Sequence, residues 1–182
     1  MENEKTGAAE RKPECLTSLS GSRLVPKTHG RIAFRGRIDT LEADFIEAQV
    51  LAASLGESNA CRDLGEILDF LRTLMAAEVR GSPLPPPMLF GLAADEIQMR
   101  SHDSGGKAAP LPSYTQGPLA SRLNTLRAKI REVELLAVEV FGPPSYSPAS
   151  LVEDGSEIRE DIILAMNRLS SALWLLFCEY VS

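Results

Sequence analysis

Cysteine and histidine are scarce: Cys15, Cys61 and Cys178, with His29 and His102, are all that occur in 182 residues. Three scattered cysteines exclude a disulfide framework and a structural zinc site, and an odd number fits a reducing compartment. The two histidines have no second ligand at helical spacing, so no metal site is assigned. The longest apolar runs, "LLAVEVF" and "ALWLLF", end well short of the ~20 residues of a membrane span. The opening "MENEKTGAAERKPE" is polar and charged, unlike a signal segment, and a cytoplasmic protein is expected. A Walker loop, a Ser-His-Asp or Cys-His arrangement and a paired Cys motif are also missing. Chemistry here is expected to belong to bound small molecules rather than to a protein nucleophile.

Basic charge is in deficit too. A formal charge of -6 and a pI near 5.0 argue against a nucleic-acid binder or a binder of anionic membranes. A polyanion held by such a chain must meet a local cluster of Arg and Lys. With 44% hydrophobic and 24% charged residues, the composition is that of one globular domain able to bury a core.

What is present is helical periodicity. Residues 1–14 read as a flexible tail and 15–182 as the folded domain. "CLTSLSGSRLVPKTHGRIAF" reads as an extended segment with turns, ended by Gly36. A helix follows with Ile38, Leu41, Phe45, Ala48, Ala52 and Leu55 as its seam, stopping at Gly56. A second runs from about Ser58 to Val79 with Leu64, Ile67, Leu68, Leu71 and Met75 inward and Ser58 or Asn59 as N-cap. After the prolines of "RGSPLPPPMLFG" comes the short amphipathic "LAADEIQMRSH", then the long loop "DSGGKAAPLPSYTQG". Two further helices follow. One starts near Gly117 with Leu126, Ile130, Val133, Ala137 and Val140 as seam; the other carries Ile158, Ile162, Ala165, Leu169, Leu173 and Leu176. No strand alternation stands out. The expected fold is all-α, an antiparallel bundle of four long helices plus one short helix.

One residue out of phase with the seam of "NTLRAKIREVELLAVEVF" lies a second stripe, Arg127, Arg131 and Glu134. It reads either as charge pairing on a solvated flank or as an anion site, in which forked guanidinium groups flank a phosphate chain. Asn167, inside the apolar helix of "MNRLSS", either bridges to a neighbouring helix or hydrogen-bonds a ligand in a bundle cavity. Asp39 is either placed for the helix dipole or fixes one arginine of the stripe. Lys27, in a Pro-Lys-Thr turn, is by itself a plain surface lysine.

"LNTLRAKIREVELLAVEVF" followed by "ILAMNRLSSALWLLF" resembles the ATP:corrinoid adenosyltransferases of the PduO and EutT kind, nearest the ethanolamine-utilization branch. "LVPKTHGRIAFRGRIDTLEAD" and "EIQMRSHDS" resemble further segments of that family, so the likeness spans roughly 16–177. Three features depart from it. "MENEKTGAAERKPEC" lacks the branch's His and Cys-Cys-x-x-Cys metal-binding segment; "LTSLSGS" stands near the place of a Gly-Asp-x-Gly loop; and Ala109 replaces an aromatic before "LP".

The resemblance implies a helical bundle that forms a homo-oligomer, a trimer ahead of a dimer, with the active site between neighbours. It implies that Lys27 contacts the ATP phosphates, that Arg131, Glu134 and Asn167 line the nucleotide site, and that Thr17 and Ser18 lie on a nucleotide-loop strand. It further implies that Asp39 pairs with Arg127, across or near the subunit boundary and beside the corrin ring. The implied reaction is attack of cob(I)alamin on the 5′ carbon of ATP, with Lys27, Arg131 and Mg2+ stabilising the departing triphosphate. Reduction of cob(II)alamin is eased by an apolar wall, for which the loop 103–116 and the end of the first helix are the candidates. A reductase and a cobalamin-dependent enzyme of ethanolamine or diol utilization are the implied partners, with association to a bacterial microcompartment as an option. The alternatives are a non-catalytic corrinoid- or nucleotide-binding delivery protein of the same fold, and a helical scaffold whose polar stripe sets subunit register.

Overall fold

In the computed structural model, which describes residues 12–103, 110–143, 145 and 158–182, four long helices and one short one carry the fold. The expected tail falls largely outside these residues, as do positions 104–109 of the long loop.

The chain enters through a hairpin, β1 (Leu16–Ser20) and β2 (Arg23–Pro26), with Thr17 opposite Val25 and Ser18 opposite Leu24. Gly21 turns it with φ 53, and Leu19 and Val25 are its buried residues. The segment expected to be extended is thus a paired hairpin, which its two inward side chains hold against the helices.

The first helix, α1 (Gly30–Ser54), begins six residues before the position at which Gly36 was expected to end the extended segment. His29 caps it, Nδ1 accepting from the Arg31 N–H at 3.1 Å, and Phe34 packs edge-on against Phe141 with ring centroids 5.0 Å apart. Gly36 lies inside the helix on its exposed side. A glycine there costs about 1 kcal/mol, which burial of Phe34 readily offsets. Ile38, Leu41, Phe45, Ala48 and Ala52 are buried as the seam required, whereas Leu55 is a half-exposed C-cap.

The second helix, α2 (Ser58–Arg80), has Glu57 rather than Ser58 or Asn59 at its N-cap, with no side-chain cap bond, and ends on the left-handed Gly81. A two-residue-strand hairpin follows, β3 (Met88–Leu89) and β4 (Leu92–Ala93), with positive φ at both Phe90 and Gly91. The Glu66 carboxylate accepts from the Phe90 N–H at 2.7 Å and holds this tight turn. Helix α3 (Ala94–His102) opens with Glu96 reaching back to the Ala93 N–H.

Helix α4 (Gly117–Phe141) follows a single 3-10 turn, Tyr114–Gln116, and α5 (Glu160–Val181) closes the chain. Ile158 precedes α5 and is 48% exposed, so it does not belong to the seam. Helix α1 lies between α2 and α4, α4 packs on α5, α5 meets α2, and α3 lies on the outside of α5. By length and composition α5 is apolar enough to cross a membrane, more than its short uninterrupted runs indicated. Ile162, Ala165, Met166, Leu169, Ala172, Leu173, Leu176 and Phe177 of this helix are buried in the bundle core.

Charges are buried at the seams between these elements. Glu78, fully buried on α2, accepts from the Nε–H of both Arg31 and Arg35, and Arg35 also donates to the Leu19 carbonyl at 2.9 Å. This cluster ties the hairpin to α1 and α2. Asp44 of α1 is held by Arg122 at 3.1 Å and Lys129 at 2.6 Å, both from α4.

Candidate functional site

The outward edges of α4 and α5 meet α3 along a groove of about 360 Å³. Its α4 wall is Arg127, Arg131 and Glu134; its floor on α5 is Asn167, Ser170, Ser171 and Trp174; Gln98, Ser101 and His102 of α3 form the other wall. Spacings of 4 and 3 on α4, and of 3, 4 and 7 from Asn167 on α5, put each set on a single helix face.

The polar groups of the groove are joined to one another. The Asn167 amide donates to Glu134 Oε1 at 2.8 Å, and Ser170 Oγ donates to the Asn167 carbonyl at 2.9 Å. Arg168, only 7% exposed, donates from one terminal nitrogen to Asn167 Oδ1 and from the other to Gln98 Oε1. The Arg127 guanidinium lies over the Trp174 ring, which stacks on Phe177. Burial and the neighbouring Arg131 lower the Arg127 pKa, partly opposed by the Cys178 thiolate form, yet guanidinium stays charged at neutral pH. Burial pushes the Cys178 thiol up, so it is held as a thiol. Arg127 and Arg131 on the lining, with Arg168 buried behind Asn167, outweigh the Glu134 carboxylate and make the groove locally cationic in a chain of net charge -6. Forked donors in a recess are what a phosphate chain requires.

A larger cavity of about 540 Å³ lies where the start of α2 meets the end of α5. Glu57, Asp63 and Glu179 line it, and their charge disfavours a polyphosphate.

Of the residues singled out in the sequence, Arg127, Arg131, Glu134 and Asn167 come together in the groove. Thr17, Ser18, Lys27 and Asp39 do not line it: the first two lie on β1, Lys27 in the exposed turn after β2, and Asp39 on the exposed side of α1. Arg127 meets Trp174, and among the described residues no ion pair reaches Asp39. Arg168, Trp174 and Gln98 were missed. The Asn167, Ser170, Ser171, Trp174 stripe was legible as a polar helix face, but Arg168 was masked by its place between Met166 and Leu169, both fully buried.

The sequence profile of the family described as Cobalamin adenosyltransferase matches residues 8–180. This chain belongs to that family. It is 30% identical over 175 residues to the "Corrinoid adenosyltransferase EutT" of Escherichia coli K12, and 31% identical over 175 residues to that of Salmonella typhimurium. In both cases the alignment takes in 91% of this chain and 58% of the relative, so the chain spans little more than half of the proteins it matches. No solved structure matches it. Two of the stretches that carried the family likeness in the sequence supply the α4 and α5 faces that line the groove.

Proposed function

We propose that this chain transfers the 5′-deoxyadenosyl group of ATP to cob(I)alamin, forming adenosylcobalamin. The observation that carries this reading is the groove in which Arg127, Arg131, Glu134 and Asn167 converge in a member of this family. In the reaction, the cobalt electron pair forms a bond to C5′ as the C5′–O bond breaks, and the oxygen leaves with the triphosphate. The corrinoid supplies the nucleophile, so the protein's task is position and field. Charge grows on the departing oxygen, and fixed guanidinium groups stabilise it more than the ground state. One such donor is worth about 3–4 kcal/mol of barrier.

Thr17, Ser18, Lys27 and Asp39 act in this reading from a neighbouring copy: Lys27 on the phosphates, Asp39 on Arg127 beside the corrin. Their absence from the groove of their own chain supports that, as does the outer face of α1. Beyond Asp39 that face carries exposed Ala43, Ile46, Val50 and Ala53 at steps of 3 and 4, an apolar stripe suited to a second copy. A homotrimer closes such a head-to-tail contact. Magnesium fits as an ion that arrives with the nucleotide. Among the described residues no group of three His, Cys, Asp or Glu converges to hold a metal, and Glu134 is the carboxylate on the groove. Arriving with ATP, the ion would supply neutralisation of phosphate charge beside Arg131. The domain proposed to do this covers residues 15–182, working in the bacterial cytoplasm beside a reductase and a cobalamin-dependent enzyme of ethanolamine or diol utilization.

The test is incubation with ATP, magnesium and chemically reduced cobalamin, followed by absorbance. The spectrum of adenosylcobalamin is expected. Binding of both ligands without product would instead select a delivery protein, and binding of neither a scaffold.

A further inference from the structure

An asparagine side chain presents its oxygen and its NH2 group in either of two orientations, and only its neighbours decide between them. At Asn167 both neighbours are unambiguous. Arg168 has donors only, so the amide oxygen faces it; the Glu134 carboxylate accepts only, so the NH2 group faces Glu134. Glu134 and Asn167 both line the groove.

Arg168 itself is an odd choice for a structural position. It is 7% exposed, next to fully buried Leu169 and two residues from fully buried Met166, and its Nε–H has no hydrogen-bond partner among the described residues. A buried charge with an orphaned donor is costly, and such costs collect at functional sites. Both side-chain acceptors it does satisfy, Asn167 on α5 and Gln98 on α3, line the groove.

We propose that Arg168 is a positioning residue: one arm locks the Asn167 amide with its NH2 toward Glu134 and the groove, and the other ties that amide to α3 through Gln98. The lock leaves one amide hydrogen and one carboxylate oxygen for a ligand, a donor beside an acceptor. It also makes the docking of α3 a condition for that pair to be presented. The consequence for catalysis rests on the reading of the groove as the ATP site.

Three variants test it, one of them serving only to assign the Asn167 signal. In 15N-labelled protein the Asn167 NH2 signal, assigned by its loss in Asn167→Ser, should shift toward free-amide positions in Arg168→Met and exchange faster with water. The KM for ATP should rise about tenfold or more, the loss expected when a charged hydrogen-bond partner is removed, while the KM for cobalamin holds. General destabilisation would move both constants and lower the melting temperature without singling out ATP. Trp174, the single tryptophan of the chain, lines the groove, so its emission reports ATP binding directly. Should Arg168→Met fail to fold, Gln98→Met removes the acceptor that steadies Arg168 from α3, and a smaller shift of the Asn167 signal in the same direction is expected. An unmoved Asn167 signal in folded Arg168→Met, or in Gln98→Met if the former does not fold, overturns the proposal. So does a parallel rise in both KM values. If wild-type protein binds no ATP, the functional reading fails, and the Asn167 signal alone decides on Arg168.

Discussion

The Arg127 guanidinium carbon lies 4.8 Å from the centroid of the Trp174 ring, and that ring stacks on Phe177 at 5.4 Å and 18°. Among the described residues Arg127 is thus aimed by an aromatic face and not by a carboxylate, which leaves its forked edge to a ligand or a neighbouring copy. Trp174→Phe should retain the stack and most activity. Trp174→Ala should lower stability by about 3 kcal/mol, since a half-buried indole and a cation–π contact are lost together, and should slow adenosyl transfer. Urea unfolding followed by circular dichroism and the cobalamin assay read the two effects.

Arg131 is exposed on the groove's rim and takes part in no ion pair among the described residues. Arg131→Ala should therefore change stability by less than about 0.5 kcal/mol. If it holds the departing triphosphate, kcat should fall by about 100-fold or more. A folded variant with wild-type turnover would refute its assignment.

The seams of α1, α2, α4 and α5 were legible because burial imposes a 3.6-residue period, and Leu126, Ile130, Val133, Ala137 and Val140 are all buried as their spacing required. The start of α1 was not legible, because a local rule about Gly36 competed with tertiary anchoring by Phe34 and lost. The hairpin of residues 16–26 was hidden for a related reason. Its stability comes from Leu19 and Val25 packing on helices and from Arg35 on the Leu19 carbonyl, none of which is a local signal. In the groove, the stripe of Arg127, Arg131 and Glu134 was visible as residues out of phase with a seam. Arg168 was in phase with buried neighbours, so nothing in the pattern marked it as polar machinery.

Glu78 is fully buried between Arg31 and Arg35. Glu78→Ala strands two guanidinium groups, one of which also holds the Leu19 carbonyl of the hairpin. A loss of about 3–5 kcal/mol is expected, as for a broken buried ion pair. Glu78→Gln keeps acceptors but not charge and should cost less. Hydrogen exchange across residues 16–26 should rise in both, because the hairpin loses its tether.

Asp161, in the first turn of α5, accepts from the Ile162 N–H at 3.0 Å and reaches back to the loop after α2, accepting from the Leu84 N–H at 2.8 Å and from Arg159. Burial pushes its pKa up, but the Arg159 side chain and the Leu84 and Ile162 N–H groups together outweigh that, and the carboxyl sits below its ordinary value. A carboxylate depressed on folding stabilises the native state above its unfolded pKa of about 4 and loses that contribution as pH falls toward the folded value. Asp161→Asn should therefore be less stable than wild type at pH 7, and the gap should close as urea titrations are repeated below about pH 4. A gap independent of pH would mean that the hydrogen bonds alone, and not the charge, hold this junction.

Lys27 and Arg131 give the sharpest test of where the complete site lies. If each groove is finished by the hairpin of a neighbour, Lys27→Ala and Arg131→Ala should each be inactive alone and yet restore activity when mixed within one oligomer. In a random equal mixture, a groove keeps Arg131 in half of cases and meets a hairpin with Lys27 in half of cases, so about one quarter of sites are intact. Co-refolded or co-expressed chains should thus reach about one quarter of wild-type transfer, whereas the two proteins mixed without subunit exchange stay inactive. A site completed within one chain gives no recovery under either regime, because every chain then carries a lesion in its own site. The two outcomes differ in kind and not in degree, so the result does not depend on how active the wild type is, only on its being active at all.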